Sequence, residues 1–133
     1  MTAFRKITEA ENILADLKKL SDDEFKQKLE NFVKTVNDVF LHLLDEYNVK
    51  FGLKIQRVGI EKFKVVAKKT GKVEAINFLI WYEKEYRRLR NNSKFGHFLE
   101  ENYTIQDINF DINSCVDIME ATKKMVYYAY ENF

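Results

Sequence analysis

Apolar residues recur at steps of three and four along most of this chain, which is the spacing of amphipathic helices. The first stripe of this kind predicts a helix over about residues 3–20. Its inward positions are Phe4, Ile7, Ala10, Leu14 and Leu17. A longer stripe, close to a heptad seam, predicts a second helix over about residues 22–50. That stripe consists of Phe25, Leu29, Phe32, Val36, Val39, Leu43 and Tyr47.

Local signals mark where the second helix begins and ends. Ser21 and Glu24 fit a capping box, in which each side chain accepts a hydrogen bond from a free backbone N–H of the first turn. Gly52 ends the helix, and residues 53–58 form a connector. We therefore expect the Ser21 side chain to cap the second helix.

Three further helices are predicted in the rest of the chain. A short one spans about 60–70 and stops at Gly71, because glycine accepts the left-handed conformation after a last turn. The next spans about 73–90 and contains the densest apolar run, from Phe78 to Tyr82. A helix that is apolar nearly all round needs cover on every side, so we expect it at the centre of a bundle. The last helix spans about 112–131.

The scarcity of turn residues supports this helical interpretation. The chain has no proline and only four glycines, whereas sheet-rich folds need many punctuated turns. A length of 133 residues fits one domain. The sequence therefore predicts an all-α fold, an up-and-down helical bundle of about five helices that forms a single domain over residues 1–133.

Composition narrows the class of protein. Hydrophobic residues make up 46% and charged residues 32%, which is typical of a globular protein. The first residues lack the apolar core of a signal peptide, and no apolar run approaches the roughly 18 residues that span a bilayer. We therefore expect a cytoplasmic protein that has no contact with a membrane.

Few residues in the chain could bind a metal. Cys115 is the only cysteine, so neither an internal disulfide nor a cysteine cluster for zinc can form, and we expect it in the core. His42 and Glu46 are one helical turn apart, but two ligands on one helix are too few for a metal site. We expect no metal and no cofactor.

Charge is distributed unevenly along the chain. Residues 59–97 carry a net charge of +6 and residues 98–133 carry −5, although the whole chain carries only +1. One interpretation is that basic and acidic helices lie side by side and neutralise each other. The other is a basic face that meets phosphate or another anion.

A basic face would hold the candidate nucleic-acid-binding residues, with Tyr82 and Tyr86 stacking on bases. Glu83 and Glu85 lie one turn before two of the arginines, so an ordinary salt-bridged helix surface explains part of this cluster equally well. The candidate binding residues are Lys68, Lys69, Arg87, Arg88 and Arg90.

Several runs between residues 60 and 130 together resemble HEPN-like proteins. They are Ala67-Lys68-Lys69-Thr70-Gly71 with Ala75, the run Asn77-Phe78-Leu79-Ile80-Trp81-Tyr82 with Glu83, and Leu89-Arg90-Asn91-Asn92 with Phe95-Gly96 and Leu99. The final helix, rich in apolar and tyrosine residues, continues the likeness. The resemblance implies a bundle of four or five helices that dimerises. Active members of the family are metal-independent ribonucleases, in which an arginine stabilises phosphate charge and a histidine transfers protons.

The catalytic motif of that family consists of an arginine, a polar residue and a histidine a few residues later. Before the last helix its positions hold Glu101, Asn102 and Gln106. A carboxylate repels phosphate and glutamine cannot transfer a proton, so the resemblance implies an inactive site. A second placement is literal: Arg90, Asn91 and His97, at the end of the central helix.

These observations lead to one expected function and two alternatives. We expect a HEPN-like domain without catalytic activity that dimerises and binds nucleic acid or protein in a defence or regulatory system. The tail aromatics Tyr127, Tyr128, Tyr130 and Phe133 exceed what one helix stripe buries, which favours a homodimer. The alternatives are a metal-independent endoribonuclease that uses Arg90, Asn91 and His97, and a structural bundle such as a small subunit of a ribonucleoprotein complex.

Overall fold

The computed structural model describes residues 2–91 and 112–133, which form five helices and no strand. The all-α bundle predicted from the sequence is confirmed, and each helix end lies within three residues of its predicted position. None of these helices combines the length and the hydropathy needed to cross a membrane. The helices are α1 (Thr2–Leu17), α2 (Asp22–Lys50), α3 (Ile60–Thr70), α4 (Val73–Asn91) and α5 (Ile112–Asn132).

The four long helices alternate in direction. The start of α1 lies beside the end of α2, where the backbone N–H of Ala3 donates to a carboxylate oxygen of Glu46 at 2.8 Å. This carboxylate also accepts a hydrogen bond of 2.7 Å from the hydroxyl of Tyr130 on α5. Ring contacts between α2 and α4 show that these two helices are antiparallel: Tyr47 with Phe78, and Phe40 with Tyr86.

The short helix α3 is inserted between α2 and α4 by a connector, residues 51–59 in the structure, that turns back along α2. The Asn48 side chain holds this connector, since its amide donates to the carbonyl of Ile55 at 2.8 Å and its carbonyl accepts from the Ile55 N–H at 3.0 Å. As a result α3 is parallel to α2 and antiparallel to α4. Gly71 joins α3 to α4 in the left-handed conformation (φ 66°), as predicted.

A cluster of aromatic rings at the centre of the bundle joins five of its segments. Phe78 of α4 is fully buried, and its ring stacks on Tyr47 of α2 with 4.4 Å between the ring centroids. It also contacts Phe63 of α3, Phe51 of the connector and Phe133 at the chain end, at 5.5, 5.9 and 5.5 Å. Ring pairs contribute about 0.5–1.5 kcal/mol each beyond simple burial, so this cluster is a major source of stability.

Three local expectations were wrong. Phe4 is 45% exposed, because the smaller Ala3 occupies the core position where α1 approaches α2 closely. Ile80 is 61% exposed, so α4 lies at the side of the bundle and is not covered on every side. Ser21 is the N-cap residue of α2, but its side chain makes no capping hydrogen bond. Cys115 is buried in the core, as predicted.

Truncation of Phe78 tests the importance of the ring cluster. We expect Phe78→Ala to lower the free energy of unfolding by about 3–5 kcal/mol, because loss of the ring leaves a cavity and eliminates its contacts with rings of four other segments. The matched control is Ile80→Ala on the same helix, which should change the free energy by less than about 0.5 kcal/mol because its side chain is largely exposed. Urea denaturation measures both values, and equal losses in the two variants would contradict the cluster's role.

Tyr47 should make the protein sensitive to alkaline pH. Burial, with a smaller contribution from the charge of Glu46, raises the pKa of Tyr47 from 10.0 to about 12. The unfolded chain therefore releases this proton first, and the free energy of unfolding falls as the pH rises from 10 to about 12. In Tyr47→Phe the slope of the free energy of unfolding against pH should be smaller by the contribution of up to about one proton. Denaturation at several pH values measures the slope, and a slope in Tyr47→Phe equal to that of the wild type would contradict this assignment.

Candidate functional site

A groove of about 740 Å³ lies between the second half of α4 and the facing side of α5. Trp81 of α4 and Tyr128 of α5 stack on each other at one end of it. Because α4 and α5 run in opposite directions, Leu89 and Ser114 lie toward the other end. We call it the α4–α5 groove. Its charged lining residues are Lys84, Glu85, Arg88, Asp117, Glu120 and Lys124.

Two stacked aromatic side chains form one end of the α4–α5 groove. The rings of Trp81 and Tyr128 have centroids 5.2 Å apart and planes inclined by 17°. Phe78 and Phe133 contact the Trp81 ring at 5.8 and 5.4 Å, so the central ring cluster holds it in place. Tyr128 is 48% exposed, which leaves part of its ring open to a ligand.

A lysine stands one turn away from each of these rings. Lys84 follows Trp81 by three residues on α4, and Lys124 precedes Tyr128 by four residues on α5. Both are exposed, and neither has an ion-pair partner within residues 2–91 and 112–133. This end of the groove therefore combines ring surface with two positive charges.

The other end of the α4–α5 groove is acidic. Asp117 and Glu120 on α5 are exposed and line it. In the described part of the chain the cation at this end is Arg88, whose guanidinium pairs with the Glu85 carboxylate at 2.7 Å. Among the described lining residues, the charge therefore reverses from positive to negative along the groove.

The predicted basic residues lie at two separate places. Lys68 and Lys69 are exposed at the end of α3, beside the turn into α4. Arg87 and Arg88 are exposed near the far end of α4, about 20 Å away by the helical rise. The side chain of Arg90 lies outside the described residues. Lysines and arginines predicted to act together thus form two groups.

The alternative of a salt-bridged surface is confirmed in part. Arg88 pairs with Glu85 one turn earlier, as the spacing predicted. Glu83 instead pairs with Lys64 of α3 at 3.7 Å, and this pair bridges α3 and α4. Arg87 has no ion-pair partner in the described part of the chain.

The prediction that Tyr82 stacks on bases was wrong. Tyr82 is 2% exposed, and its ring stacks on Tyr86 with centroids 5.8 Å apart. Burial, with a smaller contribution from Tyr86, raises the pKa of its phenol well above the usual value. The rings that face the groove are Trp81 and Tyr128, which the sequence assigned to the core and to a dimer surface. Their spacing to Lys84 and Lys124 was the signal that could have identified them.

The predicted catalytic residues fall mostly outside the described part of the chain. This holds for the side chain of Arg90 and for His97, Glu101, Asn102 and Gln106. Asn91 is exposed and is the last residue of α4. His42 of α2 is partly buried. The described residues contain no group of three side chains that could hold a metal ion.

Comparison of the chain with protein-family models, with curated proteins and with solved structures found no match. The likeness to HEPN-like proteins therefore stays a prediction from the sequence.

Proposed function

We propose that this chain is a HEPN-like helical module without catalytic activity that binds single-stranded RNA in the α4–α5 groove. One observation carries the proposal: Trp81 and Tyr128 stack on each other, and one turn away on each helix lies a lysine without an ion-pair partner among the described residues. Ring surfaces stack on any base, and lysines neutralise the phosphates beside it. Together these groups are what a single strand with splayed bases requires.

The charge balance favours a single strand over a double helix. Duplex binding rests on many phosphate contacts spread over a broad basic surface. Here the whole chain has a net charge of +1, and Lys68 and Lys69 lie about 20 Å from Arg87 and Arg88. A short strand needs only one aromatic surface for base stacking and a few positive charges for its phosphates. The end of the groove that holds Trp81, Tyr128 and the two lysines provides both.

Binding without cleavage is supported by the residues of the groove. Within residues 2–91 and 112–133 no histidine lines it, and histidine is the side chain best suited to proton transfer near neutral pH. The glutamate and glutamine at positions 101 and 106 of the HEPN motif support the same conclusion from the sequence. The competing function is a metal-independent endoribonuclease that uses Arg90, Asn91 and His97. A cytoplasmic location and a defence or regulatory role stay expectations from the sequence.

RNA binding can be measured with the protein's own fluorescence, because Trp81 is the only tryptophan. We expect a single-stranded RNA of ten nucleotides to quench Trp81 emission by stacking in the groove. In the anisotropy of a labelled strand, Tyr128→Ala should weaken binding by about tenfold, which is within the range for loss of one base stack. Replacing Lys84 and Lys124 by glutamine should lower the slope of log K against log salt by about 1.4, since two phosphate contacts are lost.

The matched control replaces Lys68 and Lys69 by glutamine, which changes the net charge equally but lies outside the groove. Its affinity and salt slope should stay close to those of the wild type. Equal losses in both double variants would contradict binding in the groove. The RNA should also remain intact, and cleavage that disappears in His97→Ala would instead support the ribonuclease. Absence of any RNA binding would favour the structural bundle or a protein partner.

The proposed module acts as a homodimer that meets through α1 and α5. Phe4 and Tyr127 are 45% and 39% exposed, and their rings contact each other across these two helices with 6.3 Å between centroids. They form an aromatic patch on the side of α5 next to Tyr128. A second copy on this patch would cover it and leave Tyr128 free for RNA.

The oligomeric state tests this part of the proposal. We expect sedimentation equilibrium at tens of micromolar to give a dimer, and replacement of Phe4 and Tyr127 by serine to give a monomer. Both side chains are partly exposed, so the variant should keep its helical circular dichroism. A wild-type monomer, or a dimer that survives in the double variant, would contradict this interface.

A further inference from the structure

We infer that the α4–α5 groove receives the end of an RNA strand and excludes an internal segment. This inference rests on the proposed function and specifies its substrate class. The basis is the reversal of charge along the groove. RNA carries a negative phosphate at every nucleotide, so an internal segment lying along the groove would bring phosphates beside its acidic residues.

The positive part of the groove is short. Lys124 lies one turn from Tyr128, and toward the other end Glu120 and Asp117 follow at about 6 Å and about 10 Å along α5. The guanidinium of Arg88 lies on the acidic side but is bonded to Glu85 at 2.7 Å, so it compensates little of the negative charge there. Among the described lining residues, those that favour a phosphate are therefore Lys84 and Lys124.

An internal segment and a strand end place different demands on this arrangement. An internal segment lies along the groove, so its next phosphates come beside Asp117 and Glu120. The two acids lie about 6 Å and about 10 Å from Lys124 along α5, which is comparable to the Debye length of about 8–10 Å at ordinary salt. Screening therefore does not remove their repulsion of a phosphate. A terminal nucleotide needs only the ring of Tyr128 and the two lysines. Its chain can leave over the rim near Lys124.

The size of the groove agrees with one nucleotide. A volume of about 740 Å³ lies within the range of roughly 300–1,000 Å³ that is usual for small-molecule sites. Trp81 and Tyr128 already stack on each other, so a base adds to the exposed face of Tyr128 as a third ring. One base and one phosphate fill the part of the groove that attracts an anion.

Three RNA ligands of different topology test the inference: adenosine monophosphate, a linear strand of ten nucleotides, and a covalently closed circle of the same sequence. We expect the nucleotide and the linear strand to quench Trp81, and the circle to cause no quenching at the same concentration. Equal binding of the circle and the linear strand would overturn the inference while leaving the proposed function in place. Absence of quenching by all three would overturn both.

Removal of the acidic end provides the complementary test. Replacing Asp117 by asparagine and Glu120 by glutamine should allow the circle to bind and should raise the affinity for the linear strand by on the order of fivefold. The affinity for adenosine monophosphate should rise less than that for the linear strand, because its single phosphate stays beside Lys84 and Lys124. The control is Glu74→Gln, an exposed acid at the start of α4 outside the groove, which should change nothing. A double variant that still rejects the circle would overturn the inference.

Discussion

The position of α4 depends on one side chain, Phe78, whose ring is enclosed by rings from α2, α3, the connector and the chain end. We expect its loss to cost about 3–5 kcal/mol, a large share of the roughly 5–15 kcal/mol that stabilises an ordinary domain. The same cluster holds Trp81 through Phe78 and Phe133. The aromatic end of the α4–α5 groove is thus an extension of the core to the surface.

The opposite wall of the groove is fixed by polar contacts between α2 and α5. The hydroxyl of Tyr47 donates to the carbonyl of Ala129 at 2.7 Å, and that of Tyr130 donates to Glu46 at 2.7 Å. These bonds set the position of the last turns of α5, where Tyr128 faces Trp81. Core packing holds Trp81, and hydrogen bonds hold the turns of α5 that carry Tyr128. The two rings therefore lose little conformational freedom when a base stacks on them.

Periodicity predicted the five helices because their apolar stripes reflect burial, as in α2, where Leu29, Phe32, Val36 and Val39 are all in the core. It could not predict how the helices meet. Phe4 and Ile80 match the apolar pattern but are exposed, because the approach of neighbouring helices decides which apolar residues are covered. The α4–α5 groove was missed for the same reason: its lysines and rings lie on two helices separated in sequence, and only their antiparallel packing brings them together.

The central claim is that RNA binds at the aromatic end of the α4–α5 groove, and NMR titration of isotope-labelled protein tests it most directly. The single tryptophan gives one indole N–H signal, which reports on the groove without ambiguity. On addition of a single-stranded RNA of ten nucleotides, this signal and the backbone signals of Lys84, Lys124 and Tyr128 should shift together, while those of Lys68 and Lys69 stay in place. Shifts centred on Lys68 and Lys69, with the indole signal unchanged, would contradict the account.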